Sequence, residues 1–431
     1  MPALVTIADD FTGAGDQAGM LAEAGVRSLL VLDPEYPLDP RQWDAVTYAS
    51  RLRSVPAREA RSVVADLYAR AGDPLPHMIQ YKYCSTFDST PEGNIGPCLD
   101  MAGDMLAVSG TVVVPALPVN GRTTYMGYHF VHGVPLHESP MSRHPLNPMA
   151  DSNLLRWLGL QTPSAVGLVN HDVVRQGPER VRDGLEALWE GGTVYAVVDC
   201  ICQEDVRCIA EAVWDLPFIS GSSALAMELP AIWREKDILD PEGGRPKTLI
   251  ATGTPPPTVA LSGSCAAQTL RQVEHASGFT QIRVDTGSLL GGELAPVAGE
   301  LTGQMARVLK GGGFPLVTSS QPVEERAELQ ARALAQCLSA RDLGLRIEQL
   351  MGMLAKAAVE ELGVRRVLVA GGETSGAVCE ALGLRAVEIL AEIDPGVPLC
   401  RSVPDGELVL ALKGGNFGAD DFFEKAARMG G

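Results

Sequence analysis

Aromatic residues make up only 5% of this 431-residue chain, and its 35 Lys and Arg are outnumbered by 53 Asp and Glu. Hydrophobic residues still reach 46%, which excludes a disordered chain, and the scarcity of rings argues for α/β layering over a β-sandwich. A net charge of −18 argues against nucleic acid and anionic membrane as partners, because both are held by clustered Lys and Arg. Any anionic ligand must therefore be gripped locally. No hydrophobic run approaches the roughly 20 residues of a membrane span. The start, MPALVTIADD, lacks the basic segment and cleavage site of a secretory signal, so a cytoplasmic location is expected. Nine cysteines form no paired framework, and Cys200 and Cys202 are one residue too close for a zinc knuckle, so reduced, mostly buried thiols are expected. There is no GxxxxGK[ST] loop, and no GxGxxG follows the first apolar run, which removes support for hydride chemistry.

What is present is an alternation. The runs VTIA, SLLVL, AVTYA, MIQYKYC, TVVVPA, SAVGLV, TVYAVVD and LPFIS are separated by amphipathic stretches, the pattern of a parallel sheet layered with helices. Residues 236–257 are rich in Pro, Gly and charge and read as a linker between a domain at 1–235 and another at 258–431. The second half repeats the alternation with VALSGS, TQIRVD, FPLVTSS, RRVLVAGGETS and ELVLALKGGNFG, and carries a long helical region from about Glu324 to Leu362. The fold class expected is α/β, with two domains that each contain a mostly parallel sheet.

Chemistry gathers at the ends of these runs. The first one stops at Asp9 and Asp10, followed by Thr12, Gly13 and Asp16 in a helix start. Carboxylates placed beside one another are costly to bury unless a metal, a cation or a proton compensates them, so this cluster reads as a site for substrate or metal. The segment YKYCSTFDSTPEGNIG carries Lys82, Ser85, Thr86, Asp88, Ser89, Asn94 and Gly96, a set suited to a charged, polyhydroxylated small molecule. A long irregular stretch from Val112 to Ser152 then supplies Arg122, able to grip a carboxylate with two bonds, and His144 before a proline.

The second domain offers glycine instead. SGSC at Ser262 to Cys265, GGETSG at Gly371 to Gly376 and KGGNFG at Lys413 to Gly418 each follow an apolar run, where backbone amides meet ligands at a sheet edge. Three such turns in one domain suit a polyphosphate, and GGETSG is the strongest because it reads as strand, turn and helix start.

Taken together, IADDFTGAGD, YKYCSTFDST with GNIG, VVPALPVNGRTTYMGYHFV, HPLNPMADSNLLRW, SGSCAAQT, GGETSGAV and LALKGGNFG resemble the four-carbon acid sugar kinase family, and within it the branch acting on 3-oxo-tetronates. The resemblance runs nearly end to end. It implies an N-terminal domain that binds the sugar acid, a C-terminal domain that binds ATP, and an active site in the cleft between them. By the same resemblance, nucleotide contacts fall on Ser262 or Ser264, on Gly371, Gly372, Glu373 and Thr374, and on Gly414 with Gly415. The sugar-acid side falls on Asp9, Asp10, Lys82, Ser85, Asp88, Arg122 and His144, with Thr12 and Asp16 beside them. The implied reaction moves the γ-phosphoryl of ATP to the terminal hydroxyl of a four-carbon keto acid. Mg²⁺ would be carried mainly by ATP, and one of Asp9 and Asp10 would be the base or an outer metal ligand. Many relatives that act on threonate or erythronate read closer to KxDSTLRG where this chain has CSTFDSTPEG, which points to the oxo-acid branch. DDFTGAGD also looks like the anion hole of ribokinase-like kinases, but there the signature comes late in the chain. The acidic surface neither demands nor excludes a homo-oligomer.

Overall fold

Every apolar run named above forms a strand, and the strands sort into two units, Met1–Pro246 and Lys247–Gly431. The computed structural model describes residues 1–53, 55–71, 75–143, 147–241, 255–336 and 338–430. Much of the expected linker and the candidate His144 lie outside the described residues.

The N-terminal unit contains β1 (Leu4–Ala8), β2 (Ser28–Val31), β3 (Ala45–Ala49), β4 (Met78–Lys82), β5 (Thr111–Val114), β6 (Arg122–Tyr125), β7 (Tyr128–Val131), β8 (Val134–Pro135), β9 (Val166–Val169), β10 (Tyr195–Val198) and β11 (Phe218–Gly221). Its helices are α1 (Phe11–Glu23), α2 (Ala57–Ala71), α3 (Ile95–Leu106), α4 (Leu154–Gly159), α5 (His171–Val174), α6 (Pro178–Glu190), α7 (Gln203–Val213) and α8 (Ala224–Glu235). Strands in the order β2-β3-β1-β4-β11-β5-β10-β9 are all parallel. Both faces of such a sheet are covered, so β1, β4 and β10 are buried along their whole length and read as continuous apolar runs. Helix α1 is buried from Gly13 to Ala22, and only its small residues let it approach the sheet so closely.

The C-terminal unit contains β12 (Thr258–Ser262), β13 (Phe279–Arg283), β14 (Phe314–Thr318), β15 (Arg366–Ala370), β16 (Ala386–Asp394), β17 (Val397–Ser402) and β18 (Val409–Lys413). Its helices are α9 (Ala267–His275), α10 (Leu294–Lys310), α11 (Val323–Ala335), α12 (Ala340–Glu360), α13 (Gly372–Ala381) and α14 (Phe422–Arg428). The order is β13-β14-β12-β15-β18-β17-β16, parallel as far as β18, with β17 antiparallel to both of its neighbours.

Three local features differ from the sequence reading. The stretch expected to be irregular holds a small antiparallel sheet, β6-β7-β8, turned at Met126-Gly127 and His132-Gly133. All four of those residues have positive φ, 51°, 73°, 50° and 80°, the twist that two-residue hairpin turns require. Strands of four, four and two residues are too short to display alternation. The long helical region is two helices, broken before Ser339, whose side chain and that of Asp342 cap each other's backbone. The β16-β17 ribbon has no counterpart in the sequence reading. The eight cysteines among the described residues are free thiols, and Cys98, Cys200, Cys379 and Cys400 are buried. No helix among the described residues is long and apolar enough to cross a membrane.

Candidate functional site

The strand orders locate a candidate site in each unit. In an open α/β sheet, ligands bind beyond the carboxyl ends of neighbouring strands whose connections leave in opposite directions. In the N-terminal unit the chain leaves β1 through α1 toward β2, and leaves the adjacent β4 through α3 toward β5, so the crevice opens at Asp9 and Lys82. In the C-terminal unit it leaves β12 toward β13 and the adjacent β15 toward β16, which puts the crevice at SGSC and GGETSG.

At the first crevice Asp10 caps α1, its Oδ1 accepting from the Gly13 amide at 2.8 Å. A Cβ at Gly13 would lie 2.5 Å from both Asp10 Oδ1 and Lys82 Nζ, so the missing side chain is what lets the ammonium and the carboxylate share the helix start. Lys82 is buried, and its ammonium donates no hydrogen bond to any described residue. Thr12 is half-buried in the first turn of α1. The compensating cation for the acidic pair is one that sequence reasoning missed, Arg53. Its Nε and Nη2 bond Asp9 Oδ2 and Oδ1 at 2.9 and 2.8 Å, and Nη2 also reaches Asp10 Oδ1 at 2.7 Å. Burial by itself would lower the Arg53 pKa, yet the charge of Asp9 and then of Asp10 raises it, so the guanidinium stays charged. The Asp10 carboxyl is pushed above its usual range, first by burial and then by the negative charge of Asp9, against the pull of Arg53 and Lys82. Among the described residues, every hydrogen bond to Asp10 uses Oδ1.

The loop that carries Arg53 is tied down on two sides. The Leu52 and Arg53 amides donate to the Asp9 carbonyl at 2.8 and 3.0 Å, and the Asn94 amide donates to the Leu52 and Val55 carbonyls at 2.6 and 2.9 Å. Asn94 is thus a brace for Arg53. Ser89 is also bracing, donating to Phe87 O and accepting from Trp157 Nε1 and Gln161 Nε2. Asp88 is buried after Phe87, which holds a left-handed φ of 53°.

A second missed residue is His129. Its Nε2 meets the Ser85 carbonyl at 2.8 Å and its Nδ1 meets Thr124 Oγ1 at 3.0 Å, which pins the β6-β7 hairpin to the turn after β4. Burial holds its pKa down at about 4, against the Ser85 bond and with a smaller push from Arg122 nearby, so the ring is neutral. Arg122 donates through Nη1 to the Asn120 carbonyl, while its buried Nε has no partner. Asp9, Asp10 and Arg53 thus form one bonded cluster with Lys82 beside it at Gly13, while Ser85 is tied through His129 to the hairpin that carries Arg122. Asp16 stands apart: it sits further along α1, where Oδ2 accepts from Ser223 Oγ at 2.5 Å and Oδ1 is buried without a partner.

The second crevice is made of backbone. Gly371 caps α13 at φ 132°, and a Cβ there would lie 2.8 Å from Thr374 Oγ1 and 3.3 Å from Ser264. Added Cβ atoms at Gly263 and Gly415 would lie 2.3 Å from Thr374 Oγ1 and 2.7 Å from Ser264 Oγ. Three glycine turns thus close on Ser264 and Thr374, above the free amides of the α13 N-terminus, with Gly372 and Glu373 in its first turn. Ser262 does not join them, because its hydroxyl pairs with Ser320 Oγ at 2.8 Å. Helix α9 braces the Gly414-Gly415 turn, Thr269 Oγ1 donating to Gly415 O at 2.7 Å and Gln272 Nε2 to the carbonyls of Phe417, Gly418 and Ala419. The cradle fits a polyphosphate: it offers amides, a helix N-terminus and room at the backbone. No group of three or more His, Cys, Asp or Glu among the described residues is arranged to hold a metal ion.

The chain matches known proteins over nearly its whole length. A family model described as a sugar-binding N-terminal domain matches residues 4–229, and one described as a nucleotide-binding C-terminal domain matches residues 259–423. The chain is 40% identical to a 3-oxo-tetronate kinase of Methylobacterium radiotolerans and 36% identical to one of Salmonella typhimurium, with 99% of both chains covered in the first case and 98% in the second. Among solved structures, a Haemophilus influenzae protein is 35% identical with a TM-score of 0.82, covering 98% of each chain. A Salmonella typhimurium protein described as a tRNA synthase is 34% identical with a TM-score of 0.88, covering 99% of this chain and 98% of that one. On these matches, the chain belongs to the four-carbon acid sugar kinase family and is a phosphotransferase.

Proposed function

We propose that the protein is an ATP-dependent kinase that phosphorylates the terminal (C4) hydroxyl of a four-carbon keto sugar acid of the 3-oxo-tetronate type, acting in the cytoplasm. The observation that carries this reading is the pairing of a charged crevice on one unit with a glycine cradle on the other. The names of the relatives that cover the chain end to end supply the substrate class. Domain roles follow: the N-terminal unit holds the acceptor, and the C-terminal unit holds the nucleotide at Ser264, at Gly371 to Thr374 and at Gly414 with Gly415.

The two aspartates divide the work. Both oxygens of Asp9 are committed to Arg53, so Asp9 orients, whereas Asp10 keeps Oδ2 uncommitted and has a raised pKa. Asp10 is the general base: Oδ2 takes the proton of the terminal hydroxyl as that oxygen bonds the γ-phosphorus and the bond to the β-phosphate oxygen breaks, releasing ADP. Lys82 and Arg122 hold the substrate carboxylate, with Thr12, Ser85 and Asp88 available to its hydroxyls. Amides of the glycine turns stabilise the charge that moves to the leaving phosphate. The residues present would suit Mg²⁺ brought in with the nucleotide, an ion that needs only one or two protein carboxylates. Glu373, exposed in the first turn of α13, would supply one, and the ion would neutralise phosphate charge.

The test is ADP release by the purified protein with Mg·ATP against C4 and C5 sugar acids, including freshly prepared 3-oxo acids. Turnover confined to the 3-oxo acids is expected. Turnover on threonate or erythronate instead would keep the kinase and overturn the substrate, and silence across the panel would overturn both. A transfer-RNA substrate, the alternative suggested by one neighbour's description, is opposed by the net charge of −18.

A further inference from the structure

One strongly buried cation has no part in the account so far. Lys413, the last residue of β18, has no solvent exposure and no carboxylate partner among the described residues. Its Nζ donates to three oxygens: Gly414 O at 3.0 Å, Gly415 O at 3.1 Å and Thr269 Oγ1 at 3.1 Å. Its own carbonyl accepts from the Gly371 amide at 2.8 Å, so the residue joins two of the three glycine turns. The charged groups on the elements packed round it are engaged elsewhere. Arg271 pairs with Asp420, and Lys425 with Asp394 and Asp421. Arg366 bonds the Ala427 and Met429 carbonyls, Glu424 the Gly278 amide, His275 the Arg271 carbonyl, and Arg401 faces Glu388. Glu274, Glu373, Glu380 and Arg428 are exposed.

The geometry of a trans peptide decides what this does. Carbonyl and following N–H point in opposite directions, so turning the Gly414 and Gly415 carbonyls in toward the ammonium turns the Gly415 and Asn416 amides out. Neither of those amides donates a hydrogen bond among the described residues. We infer that Lys413 is a positioning residue for the nucleotide: it aims the Gly415 and Asn416 amides into the cradle, and a bound phosphate favours its charged form. The inference rests on the nucleotide reading of this crevice and adds a proton to it. Burial lowers the Lys413 pKa to about 7, so above that value the free protein carries a neutral amine there. A bound polyphosphate favours the ammonium, so binding takes up a proton at pH 8 and none at pH 6, where the group is already charged.

The experiment is calorimetric titration of the full-length protein with Mg·ADP at pH 6 and pH 8, in pairs of buffers with different ionisation enthalpies. Wild type is expected to take up close to one proton more per nucleotide at pH 8 than at pH 6. Lys413→Arg, which cannot lose its charge, should bind without that uptake. Lys413→Met should bind at least tenfold more weakly at pH 6. Binding by wild type with equal proton counts at both pH values overturns the inference, whether or not the variants fold. So does an uptake that survives in Lys413→Arg. Absence of nucleotide binding in wild type would instead overturn the nucleotide reading itself.

Discussion

Both units place a crevice where neighbouring parallel strands send their connections opposite ways, yet they furnish it with opposite materials. In the N-terminal unit the crevice is furnished with side chains: two aspartates compensated by Arg53 and Lys82, and Arg122. In the C-terminal unit the backbone furnishes it, through three glycine turns and one helix N-terminus, with Lys413 underneath. The difference matches what each is proposed to hold. A small acid with hydroxyl groups is told from its relatives by individual contacts, and a base must meet one particular proton. A polyphosphate needs many equivalent donors close together, which amides supply. The comparison teaches where each crevice is fragile: the first to loss of a charge, the second to gain of a side chain.

The largest effect should come from the base. Asp10→Asn is expected to lower kcat by about a hundred- to ten-thousandfold, the range for loss of a general base, while the KM for ATP changes less than twofold. Steady-state kinetics with both substrates varied would show it, and an unchanged kcat would remove Asp10 from the chemistry. Next comes the cation between the aspartates. Arg53→Met leaves two carboxylates, one of them buried, without their partner, and breaking such a pair costs on the order of 3 to 5 kcal/mol. Urea melts should show that loss at neutral pH, and recovery as acid protonates the pair.

How much of this contrast was legible differs between the units for a physical reason. The glycine turns announce themselves because the donors are contiguous in sequence, and SGSC, GGETSG and KGGNFG each name their own site. The aspartates and Lys82 were legible for a similar reason, as polar residues at the ends of buried strands. Arg53 was not, because it lies on a loop after β3 and reaches Asp9 only through pairing of β1 with β3. A buried carboxylate pair demands a cation, but nothing in the sequence says which of 35 it is. His129 was hidden in the same way, inside a hairpin whose strands are too short to show a period. Asn94 and Ser89 belonged to the polar segment read as suited to a polyhydroxylated molecule, and their side chains brace loops, since Asn and Ser serve loops as readily as substrates.

Each unit also buries a basic group whose pKa is lowered, and the two should respond to acid differently. His129, at about 4 in the folded protein against 6.5 as a free side chain, stays neutral while the unfolded chain takes up a proton. Its contribution is whole above pH 6.5 and is lost as pH falls toward 4, on the order of 3 kcal/mol in all. Comparing urea melts of wild type and His129→Gln across that window should show a shallower slope for the variant. The smallest effect separates two serines. Ser264→Ala should raise the KM for ATP several-fold, because Ser264 stands between the Gly371 and Gly415 turns, while Ser262→Ala should leave it within twofold. Equal effects would mean that the cradle is centred elsewhere.

The division between a charged crevice and a backbone cradle is tested most directly by titrating two variants, each with both ligands, in a calorimeter. Lys82→Met should lose affinity for the keto sugar acid by tenfold or more and bind Mg·ADP as wild type does. Gly371→Ala, whose new methyl group meets Thr374 and Ser264, should do the reverse. If Lys82→Met weakens nucleotide and Gly371→Ala weakens the sugar acid, the assignment of acceptor and nucleotide to the two units is wrong.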